Sequence, residues 1–173
     1  MRDHICICVD SDYAGCKVGR KSTTGMVQFL GGHMIKATSN LQTVIGLNVA
    51  ESEYYALVHG ASHGLGLQAF LKDLGLVVGL VVESDSSSAK AFASRVGLGK
   101  QRHVQTRFLW LQQAVQSERV VIKKIGTANN PSDILTKSST AAVIEKHTKA
   151  MGLLLLQGAS RLQKSVLVPG STT

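Results

Sequence analysis

From Leu76 to Glu83 the chain reads LVVGLVVE, a continuous apolar run that suits a strand covered on both faces. What precedes it is different. Ile5 to Val9 is a short β-rich run, Thr23 to Leu30 is a second, and Gly31-Gly32 is a strong hairpin signal before a returning strand from His33 to Thr38. A helical stretch from Val49 to about Leu74 separates this hairpin-rich start from the apolar run. Its apolar residues, among them Tyr54, Leu57, Val58, Ala61 and Leu65, recur at helical spacing, with a slip of phase near Gly64 and Gly66. Beyond Glu83 the pattern predicts a helix from Ser84–Ser88 to about Arg95, a helix over Gln105–Gln116 and a strand over Val120–Ile125. A helix opened by Ser132 or Asp133 and a last helix over Ala141–Met151 follow. Three antiparallel strands, followed by strands reached through helices, imply an α/β chain: a mixed sheet with helices on its faces.

A chain of 173 residues favours one domain and can bury a sizeable core. With 44% hydrophobic and 17% charged residues, wholesale disorder is ruled out. The longest apolar candidate for a membrane span, Leu153 to Leu156, is far short of the roughly 20 residues required, so no membrane partner is expected. Asp3 and Asp10 interrupt any signal-peptide pattern, and three Cys without one point to a reducing, intracellular compartment. Nineteen Lys and Arg against eleven Asp and Glu give a net charge of +8, which favours a polyanionic partner such as nucleic acid.

In so basic a chain the acids are informative. Six of the eleven fall in i,i+2 pairs: Asp10/Asp12, Glu51/Glu53 and Glu83/Asp85. Two pairs end predicted strands and one opens the long helix, while Asp133 opens a late helix. Strand ends and helix starts are where sheet-based sites are built. Clustered carboxylates repel one another unless a cation neutralises them, and oxygen-only ligands point to a hard ion, Mg²⁺ or Mn²⁺. Residues two apart on a helix point about 200° apart, so only one of Glu51 and Glu53 can face a common site. Helical phase puts Glu53 beside Leu57 and Val58 and leaves Glu51 outward. For the strand-end pairs, phase does not choose. Asp85 and Asp133 equally suit ordinary cap positions.

Five segments then carry a resemblance: DSDYAG from Asp10 with GRKSTTG from Gly19, AESEYYAL from Ala50, SDSSSA from Ser84, RHVQTRF from Arg102 and SDILTK from Ser132. In order and spacing they resemble the ribonuclease H domain of Ty1/copia-type retrotransposon Pol polyproteins, over roughly residues 5 to 152. The resemblance implies a ribonuclease H-like, five-stranded mixed sheet flanked by helices, with the domain over 4–152 and a loose C-terminal tail over 153–173. It implies an endonuclease that hydrolyses the RNA strand of RNA–DNA hybrids, with the reverse transcriptase domain of the same polyprotein as partner and a cytoplasmic retrotransposon particle as setting. The family's four acidic metal ligands carry over to Asp10, Glu53, Asp85 and Asp133. They would hold two Mg²⁺ (or Mn²⁺) ions about 4 Å apart, with Asp10 as the bridging ligand.

Three departures stand out. Tyr13 replaces the Trp that commonly follows the second Asp of the first motif. The basic stretch before the helix reads ATSNLQ from Ala37, which shifts the expected substrate contacts to Lys100, Arg102 and Arg107. No His lies between Val104 and Ser132, where cellular ribonucleases H carry one, so proton delivery to the leaving group needs water or another residue. Ser86, with Ser87 and Ser88, Asn48 and Gln42, is a candidate for contacts to 2′-hydroxyls. The alternative from another class is an inactive hybrid-binding or structural remnant. An integrase-type core is disfavoured, because that pattern has three carboxylates, the last a Glu on a helix. Elsewhere, His59 and His63 read as helix surface or packing, Cys6, Cys8 and Cys16 invite a zinc reading but read rather as strand-buried thiols, and Trp110, Leu111 and Phe108 read as core.

Overall fold

The computed structural model describes residues 4–99 and 102–153. Strands β1 (His4–Ser11), β2 (Thr23–Leu30) and β3 (His33–Leu41) run antiparallel in sequence, joined between β2 and β3 by Gly31 and Gly32 at φ 59° and 88°. Helix α1 (Val49–Asp73) leads to β4 (Gly79–Ser84), which pairs parallel to β1. Helices α2 (Ser87–Ala93) and α3 (Trp110–Gln116) precede β5 (Val121–Lys124), which pairs parallel to β4, and α4 (Ala141–Ala150) closes the described chain. The sheet order is β3-β2-β1-β4-β5. This is the expected five-stranded mixed sheet with its three antiparallel strands first.

The phase slip in α1 does not break it. Gly60 and Gly64 are where the helix meets the sheet: a Cβ at Gly60 would stand 2.6 Å from Val9 Cγ1, and one at Gly64 2.4 Å from Leu80 Cδ1. The glycines therefore let a long helix seat closely on β1 and β4. That contact, with Ile5, Ile7, Tyr54, Leu57, Val82 and Leu111, forms the centre of the core. Asn48 caps α1 by accepting from the Glu51 N–H, and Gly75 at φ 84° turns the chain out of it.

Three expectations are corrected. The apolar run does not enter the sheet at Leu76. Leu76 and Val77 are exposed and carry the chain from the helix end to the sheet, and of the apolar run only Leu80, Val81 and Val82 are buried. The helix read over Gln105–Gln116 is a 3₁₀ turn over Thr106–Phe108 followed by α3, with Leu111 in the core and Phe108 and Trp110 packed against it. The segment after Pro131 is a 3₁₀ helix, Pro131–Leu135, and not an α-helix. Of the expected tail, only Leu153 falls among the described residues.

Candidate active site

Asp10 lies near the end of β1 and is fully buried, while Asp85 follows β4 directly. Because β1 and β4 are parallel neighbours, both carboxylates emerge at the same end of the sheet. Asp133 comes from far along the chain and is brought there by two devices. The buried Asn130 side chain donates to the Val9 carbonyl at 2.9 Å and accepts from the Ser132 hydroxyl at 2.6 Å. Gly25, opposite Asp10 on β2, leaves room for the arriving segment: a Cβ there would meet the Ser132 carbonyl oxygen at 2.7 Å. Carboxylate oxygens of Asp10, Asp85 and Asp133 consequently lie within 4.8 Å of one another.

Glu53, one turn into α1, faces this group. It is 5% exposed, and its Oε2 is a buried oxygen without a hydrogen-bond partner. Burial, then the charges of Asp10 and Asp85, push its carboxyl up to about 8. Burial and the Asp10 charge likewise push Asp133 up to about 6. Two carboxyl groups raised at one point mean a surplus of negative charge that the protein neutralises only in part. The partial answer is Lys137, whose Nζ stands 3.1 Å from Asp10 Oδ2 and 3.8 Å from Asp133 Oδ1. Burial works against the Lys137 charge, but Asp10 outweighs it and holds the ammonium above its ordinary value. The Thr136 hydroxyl donates to Asp10 as well, and Asp85 accepts from Thr127 Oγ1 at 2.7 Å.

Hard oxygen donors in close array, two of them (Glu53 Oε2 and Asp133 Oδ1) buried without a hydrogen bond, suit a divalent cation of the Mg²⁺ or Mn²⁺ type. Of the paired acids, Asp12 turns away into the following loop, where it accepts from the Thr23 N–H. Glu51 is not outward as helical phase implied. It is 1% exposed, accepting from the Leu47 N–H at 2.9 Å, from the Tyr55 hydroxyl and from His103 Nε2 at 2.7 Å. A polar pocket of its own overrides the amphipathic stripe. Glu51 and His103 are thus a structural pair that joins the RHVQTRF segment to the start of α1.

The candidate contact residues are spread more widely. Arg102 and Arg107 are exposed, with the Arg107 guanidinium 4.8 Å from the centroid of the Phe108 ring. Arg107 also borders an open groove of about 500 Å³ shared with Tyr55, His59 and Trp110. Lys100 lies outside the described residues. Ser86 caps α2 by accepting from the Ala89 N–H at 3.2 Å, and Asn48 caps α1. Gln42 is buried, its amide donating to Ser11, Thr24 and the Ser52 carbonyl, which is the work of a brace between β1, β2 and α1. Sequence reasoning passed over Gly25, Asn130, Thr136 and Lys137. Only Lys137 left a usable signal, since it stands four residues after Asp133.

The fold and this carboxylate cluster define a ribonuclease H-like protein. The structure resembles LC11-RNase H1, isolated from compost, with a TM-score of 0.58 at 20% identity, over 83% of this chain and 97% of that one. The relatives of this chain are copia-type retrotransposon Pol polyproteins. It is 35% identical over 130 residues to the Pol polyprotein of the Nicotiana tabacum transposon TNT 1-94, covering 74% of this chain. It is 24% identical over 148 residues to that of the Arabidopsis thaliana transposon RE2, covering 84% of this chain. The chain spans about a tenth of the length of either polyprotein. No family model matches it.

Proposed function

We propose that this chain is a divalent-metal-dependent endoribonuclease that hydrolyses the RNA strand of RNA–DNA hybrids. Asp10, Glu53, Asp85 and Asp133 would hold two Mg²⁺ or Mn²⁺ ions. One observation carries the reading. A basic chain brings the carboxylates of Asp10, Asp85 and Asp133 together, sets Glu53 near enough to feel the charges of Asp10 and Asp85, and leaves two of these oxygens buried without a hydrogen bond. A fold that needed these groups only for packing would have satisfied them.

Within the reading, each residue has a part. Asp10, buried and central, holds the cluster together; Asp85 and Asp133 flank it; Glu53 closes it from the helix side. A pair of bound divalent ions supplies positive charge that lowers the pKa of the attacking water and stabilises the departing oxygen. The protein's share is to hold the carboxyl groups together and aimed, while burial and their mutual repulsion leave Glu53 and Asp133 reluctant to ionise until a cation arrives. Lys137 maintains that arrangement by pairing with Asp10 and Asp133. Arg102, Arg107 and Lys100 supply phosphate contacts along the hybrid, and Ser86 is the candidate for a contact to a 2′-hydroxyl. No histidine lies in the turn region from Thr127 to Leu135, so the leaving group takes its proton from water or another residue. A reverse transcriptase domain of the same polyprotein would present the hybrid, inside a cytoplasmic particle. Among the described residues, no helix is long and apolar enough to cross a membrane.

The test is cleavage of a labelled RNA–DNA hybrid by the purified chain with Mg²⁺, repeated with Asp10→Asn. Cleavage confined to the RNA strand, dependent on the ion and lost in the variant, is the expected result. Tight hybrid binding without cleavage would turn the reading toward an inactive binding module.

A further inference from the structure

A second group of ligating side chains lies on the same two central strands, displaced by one step from the carboxylate cluster. Alternation along β1 turns Ile7 and Val9 toward α1 and sends Cys6, Cys8 and Asp10 to the opposite face. On β4, Glu83 is the register partner of Cys8, two residues before Asp85. Ligand atoms of Cys6, Cys8 and Glu83 lie within 4.8 Å of one another, and Cys8 Sγ stands 3.8 Å from Glu83 Oε2. Sulfur and oxygen donors at 2.3 and 2.1 Å from one tetrahedral ion stand about 3.6 Å apart, close to the 3.8 Å between Cys8 Sγ and Glu83 Oε2. The three residues line a cavity of about 250 Å³ together with His4, Phe29 and Pro131. His4 begins the same strand on the same face and lines the same cavity.

From this placement we propose a second metal site, selective for a soft divalent ion of the Zn²⁺ class, held by Cys6, Cys8 and Glu83 with His4 or water completing a tetrahedron. The donor set decides the ion. Two sulfurs reject Mg²⁺, which takes oxygen, and favour Zn²⁺ over the hard ions suited to Asp10, Asp85 and Asp133. Zinc takes thiolates, so binding displaces the thiol protons of Cys6 and Cys8 to solvent as two zinc–sulfur bonds form. A disulfide is the poorer alternative. Alternate residues of one strand stand about 6.6 Å apart at Cα, near the upper limit for a bridge. The third cysteine, Cys16, lies in the loop after β1 and takes no part. An ion here would tie β1 to β4, the central parallel pair.

The full chain, reduced and stripped of metal, is titrated with Zn²⁺ against a chromogenic chelator and, separately, with Co²⁺. The expected result is one tight equivalent of Zn²⁺, release of about two protons near pH 7, and thiolate-to-cobalt charge-transfer absorption. Cys6→Ser, Cys8→Ser and Glu83→Gln should each weaken binding at least ~10- to 100-fold. Cys16→Ser and Asp10→Asn should leave it unchanged, the latter separating this site from the carboxylate cluster. Circular dichroism checks each fold, and Cys6, half-exposed, gives a readout if Cys8→Ser fails to fold. Three results would overturn the proposal: Co²⁺ binding without charge-transfer absorption, Zn²⁺ binding that survives Cys6→Ser and Glu83→Gln, or no binding beyond that of the Cys6→Ser variant. Because none of these readouts uses hybrid cleavage, the outcome is independent of the nuclease reading.

Discussion

Glu53→Gln in the metal-free chain tests the electrostatic logic of the carboxylate cluster most directly. In the folded protein the Glu53 carboxyl is raised from 4.5 to about 8, first by burial and then by Asp10 and Asp85. A carboxyl whose folded pKa is raised contributes its full stability below the unfolded value and loses it as pH climbs to the folded one. Glu53 therefore costs the metal-free protein nothing near pH 4 and most above pH 8. The raise is between three and four units, and at 1.36 kcal/mol per unit the upper bound is about 4 to 5 kcal/mol. Gln, uncharged and of the same shape, escapes that cost. In chelator, urea unfolding should show the variant more stable than the parent at pH 8.5 by a few kcal/mol, equivalent to roughly 6–12 °C in Tm for 3 kcal/mol at this size. The gap should close on descent to pH 5, and added Mg²⁺ should shrink it at high pH by stabilising the parent alone. A variant less stable than the parent at pH 8.5 without metal would refute the reasoning, because it would mean that the charged carboxylate is well satisfied by the fold itself.

Other perturbations read the same cluster. Lys137→Met removes the ammonium that competes for Asp10 and Asp133, so Mg²⁺ should half-saturate the protein at a several-fold lower concentration by calorimetric titration, while metal-free thermal stability falls. Gly25→Ala puts a Cβ against the Ser132 carbonyl oxygen, which backbone cannot yield cheaply; unfolding should show a loss of about 1–3 kcal/mol, with weaker metal binding alongside. Asn130→Ala leaves the Val9 carbonyl without its partner and should cost about 1–3 kcal/mol, measured by denaturant midpoint. If Arg102 and Arg107 contact phosphates, replacing either with Ala should lower the salt slope of hybrid affinity by about 1.

The sheet was legible because its signals are local. Gly31-Gly32 marks the hairpin, the apolar density of β1 and β4 marks the buried strands, and the apolar spacing of α1 survives its glycines. What was misread depends on the partner across the gap. Glu51 reads as an outward acid on a helical wheel, and only the arrival of Tyr55 and His103 makes its burial tenable. Leu76 and Val77 look like strand residues, but the chain needs them to travel from the helix end to the sheet. The 3₁₀ form of Pro131–Leu135 follows from the fit beside Gly25, which no reading of the segment by itself contains. For the site, the acids could be listed and the motif order placed them in a family pattern. Helical phase turned Glu53 rather than Glu51 toward the buried stripe, and Glu53 does lie near enough to feel the charges of Asp10 and Asp85, although the companion inference about Glu51 failed. Lys137, Thr136 and Asn130 were hidden because an ammonium, a hydroxyl and an amide of the loop only acquire a role once Asp10 stands beside them.

The ties that hold Asp133 in place carry a consequence for biosynthesis. Asn130 reaches back 121 residues to Val9, and Thr136 reaches back 126 to Asp10. A ribosome can deliver the whole hairpin, the long helix and both central strands while the acidic end of the sheet still lacks its last carboxylate and its lysine. A product that stops between Lys124 and Asp133 would hold all five strands and the long helix around three repelling carboxyl groups, those of Asp10, Glu53 and Asp85, with neither Asp133 nor the Lys137 ammonium beside them.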